Sequence, residues 1–246
     1  MAILITGGTK GIGLAIARRF ARSGTMLFLN YLRDERAAEA AVAELQSIGA
    51  TPLTIQSDVG TPAGARALIE RVAGVTTELR LIVHCAVRVL VGPILAADPE
   101  AFAEAITLNG TSLMFLIQAA RPLLRRGSSI IFLSSRGSRQ VVPHYGAIGA
   151  GKALGEALMR YLVPELAPMG VRINCIAPGT LDTEAVRNLF GDRTDAFLAQ
   201  EAAGNPSGRN IAHEDYVGLV EFLAGSEAQM TQGQVIFING GQYIVA

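Results

Sequence analysis

Cysteine is scarce in this 246-residue sequence: Cys85 and Cys175 stand alone, each inside or at the end of an apolar run. Such positions read as packed thiols and not as a disulfide framework. His84, His144 and His213 are scattered, and with the two cysteines they supply none of the ligand spacings of a zinc site, so no metal is expected. Lysine is rarer still among the cations. Of 21 basic residues only Lys10 and Lys152 are lysines, which directs attention to what those two do. Basic and acidic residues balance at 21 each, and no basic run is long enough to track a phosphate backbone, so nucleic acid is not an expected partner. No apolar stretch reaches the roughly 20 residues that cross a bilayer, because Arg, Asp, Gly or Pro interrupts each candidate. The opening residues pass from an apolar strand straight into a glycine turn, without the pattern of a signal peptide. A soluble, cytoplasmic protein with no membrane partner is the expectation.

What is present is an ordinary globular composition, half hydrophobic and 17% charged, with enough apolar material for a sizeable core. Runs rich in Ile, Leu and Val alternate with helical patterns, the signature of a parallel sheet covered on both faces. Strands are predicted at 2–6, 26–30, 52–56, 81–85, 129–134, 171–176 and 234–238. Helices are predicted at 12–23, 35–48, 62–73, 99–124 with a bend near Asn109 and Gly110, 146–167 and 216–223. Pro164 should bend or end the helix that holds it unless packing compensates. Nothing divides this order, so residues 1–246 read as one domain. The region 183–212 holds Gly, Asn, Pro and Ser without a clear apolar period. Lying after a strand end, it is a natural substrate lid.

After the first strand comes Gly7-Gly8-Thr9-Lys10-Gly11-Ile12-Gly13, followed by an amphipathic helix. Glycines let the backbone turn tightly against a pyrophosphate while the new helix aims its free N–H groups at the anion. The strand–turn–helix context makes this a dinucleotide site within a Rossmann-type α/β fold: a doubly wound parallel sheet of about seven strands with helices on both faces. An Asp or Glu ending the second strand would accept from the 2′-hydroxyl of NAD. Asn30 stands there instead, followed by Tyr31, Leu32 and Arg33. Without a carboxylate a 2′-phosphate meets less repulsion, and Lys10 with Arg33 can supply cations, so NADPH is favoured. Arg33 also reads as a solvated residue leading into a helix.

With these residues in hand, the whole sequence resembles the short-chain dehydrogenase/reductase family. Residues 6–13 look like its glycine motif, Asp58-Val59 like its adenine-contacting pair, and Asn109 like the asparagine of its central helix. Ser134-Ser135 looks like the end of its fifth strand, Lys152 like its catalytic lysine, and Asn174 with Pro178-Gly179 like the segment bordering the nicotinamide. The resemblance places Cys85, Ala86, Leu181 and Thr183 beside the cofactor as well, and implies a homodimer or homotetramer packed through the helices predicted at 99–124 and 146–167. Two positions depart from the pattern. The family's Asn-Asn-Ala-Gly is His84-Cys85-Ala86-Val87 here, and the family's general acid, a tyrosine four residues before the lysine, is Ile148.

Tyr145 lies seven residues before Lys152, close to two helical turns, so both can project from one face about 10 Å apart along the axis. This Tyr-x6-Lys spacing is similar to that of enoyl-acyl carrier protein reductases. The surrounding residues 134–138, 155–162, 182–183 and 240–241 look most like the NADPH-dependent type III enzymes. That resemblance implies reduction of the α,β double bond of an acyl thioester, on acyl carrier protein or coenzyme A, in fatty acid or polyketide biosynthesis. In such a reaction charge develops on the thioester oxygen, and a phenol placed farther along the substrate can stabilise it there. Lys152 is expected to lower the phenol's pKa, and by resemblance to hold the nicotinamide ribose. Ser135 either positions the substrate carbonyl or caps the following turn; Asn109 either holds a structural water or relieves the long helix. Two other readings stand beside this one, a 3-ketoacyl or other carbonyl reductase and a catalytically silent NADPH-binding regulator.

Overall fold

The computed structural model describes residues 1–22, 24–242 and 244. Its frame is a sheet of β1 (Ala2–Thr6), β2 (Met26–Tyr31), β3 (Thr51–Gln56), β4 (Leu79–His84), β5 (Leu124–Leu133), β6 (Arg172–Pro178) and β7 (Val235–Ile238). The seven strands are parallel in the order β3-β2-β1-β4-β5-β6-β7. Every residue of β1 is buried, as a central strand covered on both faces requires. Successive side chains take opposite faces: Ile3 and Ile5 join one core cluster and Leu4 the other. The strand order reverses between β1 and β4, which leaves a crevice at the carboxyl ends of those strands.

One face is covered by α1 (Gly11–Phe20), α2 (Glu35–Ser47) and α9 (Glu214–Ala224), through Ile16, Phe20, Leu45 and Tyr216. The other is covered by α3 (Pro62–Ala73), α4 (Pro99–Ile106), α5 (Ser112–Ala120) and α6 (Gly146–Leu166), through Leu68, Leu116 and Met159. Local signals start these helices. Asp34 accepts from the Ala37 amide, Thr61 from Gly64 and Asp98 from Ala101, and a proline opens both α3 and α4. Two further helices, α7 (Glu184–Phe190) and α8 (Thr194–Ala203), follow β6.

Several boundaries differ from those read in the sequence. The long helix predicted at 99–124 is two helices joined by a π turn over Thr107–Thr111. It ends before Pro122, and Leu124 already belongs to β5, pairing with Leu79. Tertiary pairing claims residues that an apolar run alone assigns to a helix. The first helix stops at Phe20, short of the predicted 23; Ser23 lies outside the described residues. Pro164 sits in the last turn of α6, where it removes one hydrogen bond and the helix ends two residues later. The region 183–212 is helical as far as Ala203 and irregular only beyond it: Thr183 caps α7 by accepting from Val186, and the Phe190 and Phe197 rings stack 3.9 Å apart. Among the described residues no helix is long and apolar enough to cross a membrane, and no cluster of His, Cys, Asp and Glu could hold a metal.

Candidate active site

The glycine turn sits at the carboxyl end of β1. Gly7 and Gly11 adopt positive φ of 61° and 51°, and a side chain on Gly13 would strike the Gly7 carbonyl. Lys10 precedes α1 without any side-chain cap, and no acidic residue lies in its first turn. The open N–H groups and a space around Gly11 free of neighbours within 4 Å fit the diphosphate of a dinucleotide. A side chain on Gly7 would meet the Ala86 backbone at 3.2 Å, so the turn packs directly on the segment after β4.

His84, the departure in that segment, is wholly buried and faces away from the crevice. Its Nδ1 lies 2.6 Å from Thr6 Oγ1 and its Nε2 2.7 Å from Ser112 Oγ. Ser112 donates its proton to the Leu108 carbonyl, so its oxygen accepts from His84 Nε2–H; Thr6 then donates to Nδ1 and itself accepts from the Ala86 amide. The imidazole is thus the link in a one-way chain from Ala86 to the π turn. Burial, with the positive charge of Lys152 adding to it, drives its pKa down to about 3 and keeps it neutral.

A cavity of about 890 Å³ opens at the carboxyl ends of β4, β5 and β6. Tyr145, Lys152 and Ser135 all line it, as do Ile12, Cys85, Pro178, Gly179, Leu181 and Thr183. Tyr145 is the residue just before α6 and not part of its first turn. Its placement comes from three neighbours. His144 holds a left-handed φ of 62°, unusual outside glycine, with its carbonyl accepting from Gly92. The phenol ring lies over Gly137, where a Cβ would come within 2.7 Å of it. Ser135 hydrogen-bonds the phenol and also accepts from the Gly137 amide, so of the two roles read for it in the sequence the turn cap is filled.

Burial raises the pKa of Tyr145 above the ordinary phenol value, with Ser135 and then Arg136 pulling against it. The expectation that Lys152 would perform that lowering is corrected: Ser135 and Arg136 are the groups that act. Lys152 is 4% exposed, with its ammonium 4.6 Å over the Phe132 ring, and burial brings its pKa down to about 8. Cys85 beside it is held protonated, its pKa pushed up to about 12 by burial. Ile148 is 1% exposed and presents only hydrocarbon where a general acid would stand.

The remaining residues singled out in the sequence lie outside the cavity wall. Asn109 lies in the π turn that breaks the long helix, in keeping with its reading as the residue that relieves that helix. Its side chain accepts from the Arg88 amide at 3.1 Å and donates to the Arg88 carbonyl at 2.9 Å, clamping the loop after β4. Asn174 similarly ties β6 to Thr231 and Gln234. Asn30, buried at the end of β2, donates to the Ile55 and Ser57 carbonyls. Lys10 is not a free cation: its ammonium is 2.7 Å from Asp34 and 3.4 Å from Glu184. Tyr31 is half-buried and Arg33 exposed beside this pair. Thr9 and Val59 are buried, and the Asp58 carboxylate accepts from the Gly60 amide ahead of α3.

Comparison with known proteins follows the same lines. The profile of the enoyl-(acyl carrier protein) reductase family matches residues 7–242. The chain belongs to this family of short-chain dehydrogenases/reductases. It is similar to 1-cyclohexenylcarbonyl-CoA reductase of Streptomyces collinus, 29% identical over 99% of this chain and 87% of that one. An NADH-dependent enoyl-acyl-carrier-protein reductase of Synechocystis is 30% identical over 98% of this chain and 95% of that one. Among solved structures, a short-chain dehydrogenase from Burkholderia cenocepacia in complex with NADP superposes with a TM-score of 0.87 at 27% identity, over 97% of this chain and 96% of that one.

In this short-chain reductase the cavity also contains residues that the sequence did not single out. Val87, Val89 and Val91 face Val141 and Val142 across it, and Phe190 and Phe197 add an aromatic wall from α7 and α8. Arg136 bonds Glu201 of α8 through both terminal nitrogens, at 3.0 and 3.4 Å, and Thr180 donates to the same carboxylate at 2.5 Å. The valines at 87, 89 and 91 lie in the loop after β4.

Proposed function

We propose that this chain is an NADPH-dependent reductase of the α,β double bond of acyl thioesters, on coenzyme A or acyl carrier protein. The observation that carries this reading is that Tyr145 and Lys152 open on one apolar cavity while the position one turn before Lys152 is the buried, inert Ile148. A bound nicotinamide would supply hydride to the β-carbon, and the enolate so formed would take its proton at the α-carbon from solvent. Lys152, compact and largely desolvated, suits the ribose hydroxyls, and Ala86 and Cys85 with Pro178 and Gly179 frame the ring's position. Tyr145, kept protonated by burial, donates a hydrogen bond to the thioester oxygen as negative charge gathers there, in a setting with little water to compete. Ser135 orients that phenol. The valine wall and the Phe190–Phe197 stack receive the acyl group, with 183–212 as the lid.

A ketone substrate would need a proton delivered to the oxygen on the carbon that receives hydride, and Ile148, which stands where the family's general acid would, has none to give. For the cofactor, the end of β2 carries Asn30 and not a carboxylate, and Lys10, now paired with Asp34 and Glu184, is the cation we assign to a 2′-phosphate. Assembly as a homodimer or homotetramer completes the reading, with Tyr161 of α6, 77% exposed, on the surface to be covered.

The test is nicotinamide oxidation with enoyl thioesters beside β-ketoacyl thioesters, using NADPH and NADH. Turnover of the enoyl series is expected, with Tyr145→Phe reducing kcat by about 100- to 1000-fold while NADPH still binds. Full activity in that variant, or turnover of ketones alone, refutes the assignment; tight NADPH binding without any turnover makes the chain a regulator.

A further inference from the structure

Next to the turn that carries Gly137, a buried carboxylate gathers three polar side chains. Glu156 follows Lys152 by one turn of α6, and the two are 3% and 4% exposed. One oxygen of Glu156 accepts from the Ser134 hydroxyl at 2.5 Å and from the Ser138 hydroxyl at 2.6 Å; the other accepts from Arg139 Nε at 3.3 Å. Ser134 stands just before the short turn Arg136–Ser138 and its cap Ser135, and Ser138 ends it, so the carboxylate grips the chain on both sides of Gly137. The single Ser138 proton has a second acceptor in the Ser135 carbonyl at 2.8 Å, but the shorter bond to the carboxylate is the stronger of the two. The turn also lies flush against the helix: a side chain on Gly149 would meet the Gly137 carbonyl at 2.6 Å. Gly149 donates its amide to the Tyr145 carbonyl at 2.8 Å, and the Tyr145 ring rests on Gly137. The phenol is therefore seated on a turn that α6 holds at two points, by backbone contact at Gly149 and by the Glu156 side chain two turns farther along.

We propose that Glu156 is a positioning residue: through the Ser134 and Ser138 hydroxyls it fixes the turn beneath Tyr145 at a set distance from Lys152 on its own helix. The inference rests on the role given to Tyr145 above. Lys152 needs no such tether, because the helix itself places it. Tyr145 lies ahead of α6, so its position relative to Lys152 is only as definite as the turn that supports its ring. Glu156 is not among the residues that line the cavity, and it acts on the site through that turn. A carboxylate suits the task, since its oxygens can accept several donors at once. Here one oxygen takes both hydroxyls and leaves the other to Arg139, whose guanidinium lies 5.3 Å over the Phe237 ring of β7. Without the acceptor the buried Ser134 hydroxyl would lose its partner, a cost that the turn can relieve only by moving. Movement there carries Gly137, and the phenol with it.

The experiment removes the acceptor and watches Tyr145. Tyrosine ring carbons are labelled for NMR in the full-length protein, and the Tyr145 and Tyr216 signals are identified by their loss in the corresponding phenylalanine variants. Glu156→Met should displace or broaden the Tyr145 signal, while Tyr216, buried in the core on the other face of the sheet, keeps its own. With an enoyl thioester and NADPH, kcat should fall by about tenfold to 100-fold at an unchanged NADPH Kd, because a small misplacement of a reacting group costs rate and not cofactor affinity. Glu156→Gln keeps an oxygen for both hydroxyls and should restore most of the rate. In a Tyr145→Phe background Glu156→Met should cost little more, as residues acting through one group do not add. If Glu156→Met does not fold, Ser134→Ala/Ser138→Ala/Glu156→Met replaces it, since taking away donors and acceptor together leaves neither hydroxyl unpaired. A Tyr145 signal that stays in place, a Tyr216 signal that moves with it, a rate that glutamine does not restore, or a loss that adds in full to that of Tyr145→Phe each overturns the proposal. Were no enoyl thioester turned over, the substrate assignment alone would fall, and the Tyr145 signals of Glu156→Met and Glu156→Gln would decide the role of Glu156.

Discussion

Acid should destabilise this protein through His84 over a window that ordinary surface histidines do not produce. The unfolded chain binds a proton there near pH 6.5, whereas in the fold the pKa falls to about 3, chiefly because the ring is buried. The folded pKa lies below the unfolded one, so the neutral form is the one the fold prefers. Its contribution is complete above pH 6.5 and is lost progressively as pH falls toward 3. By linkage the loss at about pH 5 is roughly 2 kcal/mol, because the unfolded state then binds nearly a full proton that the folded state refuses. For a domain of this size that corresponds to about 4 to 8 °C in Tm. Thermal or urea unfolding would be followed at about pH 7.5 and about pH 5 for the wild type and for His84→Asn, whose amide cannot protonate. The variant loses part of the Thr6–His84–Ser112 chain and should be less stable at the higher pH. The gap between the two proteins should narrow by about 2 kcal/mol at the lower pH, since carboxylates common to both cancel. A gap that is the same at both pH values would show that the ring already accepts a proton in the fold, and the one-way chain inferred for it would be wrong.

Two smaller perturbations test the site from other sides. Gly137→Ala places a methyl group within 2.7 Å of the Tyr145 ring and 3.4 Å of Gly149, so kcat should fall by about tenfold or more, since displacements of this size misalign reacting groups. Combined with Tyr145→Phe it should cost little extra, and a fully additive loss would mean the platform acts elsewhere. Asp34→Asn keeps the cap on α2, because an amide oxygen serves the Ala37 amide equally well, but leaves Lys10 with Glu184 alone, at 3.4 Å. The Lys10–Asp34 pair is close to half exposed, so NADPH should bind only a few-fold more tightly while NADH is unchanged. Isothermal titration with both cofactors checks this, and equal gains for the two would remove the 2′-phosphate from the explanation.

What the sequence disclosed followed from how local each signal is. The strands were legible because β1, β4, β5 and β6 are apolar runs bounded by turn residues, and the glycine turn because its spacing is a backbone requirement within a few residues. The partners of the polar site residues were not legible. Asn109 meets Arg88 from 21 residues away, Lys10 meets Asp34 from 24, and Arg136 meets Glu201 from 65. Nothing in the local pattern marks either end of such a pair. The helices α7 and α8 escaped notice for a related reason: Phe190 and Phe197 turn toward the cavity and each other, so the periodicity that betrays a core-facing helix is absent.

Tyr145 shows how a correct inference can rest on an incomplete cause. Two helical turns of spacing implied that it shares a face with Lys152, yet Tyr145 lies outside α6, with φ of −108°, and its direction is not set by helical phase. It is set by the left-handed His144 before it, by the missing side chain at Gly137 beneath it and by the hydroxyl of Ser135. A tyrosine at position 148 would instead be fixed by the helix itself, one turn from the lysine. Placing the phenol ahead of the helix frees its position from that phase and gives it to a turn that also carries Arg136. The distance between hydride acceptor and hydrogen-bond donor, which separates enoyl from carbonyl reduction, then depends on the conformation of the 135–145 segment more than on which residue in α6 is a tyrosine.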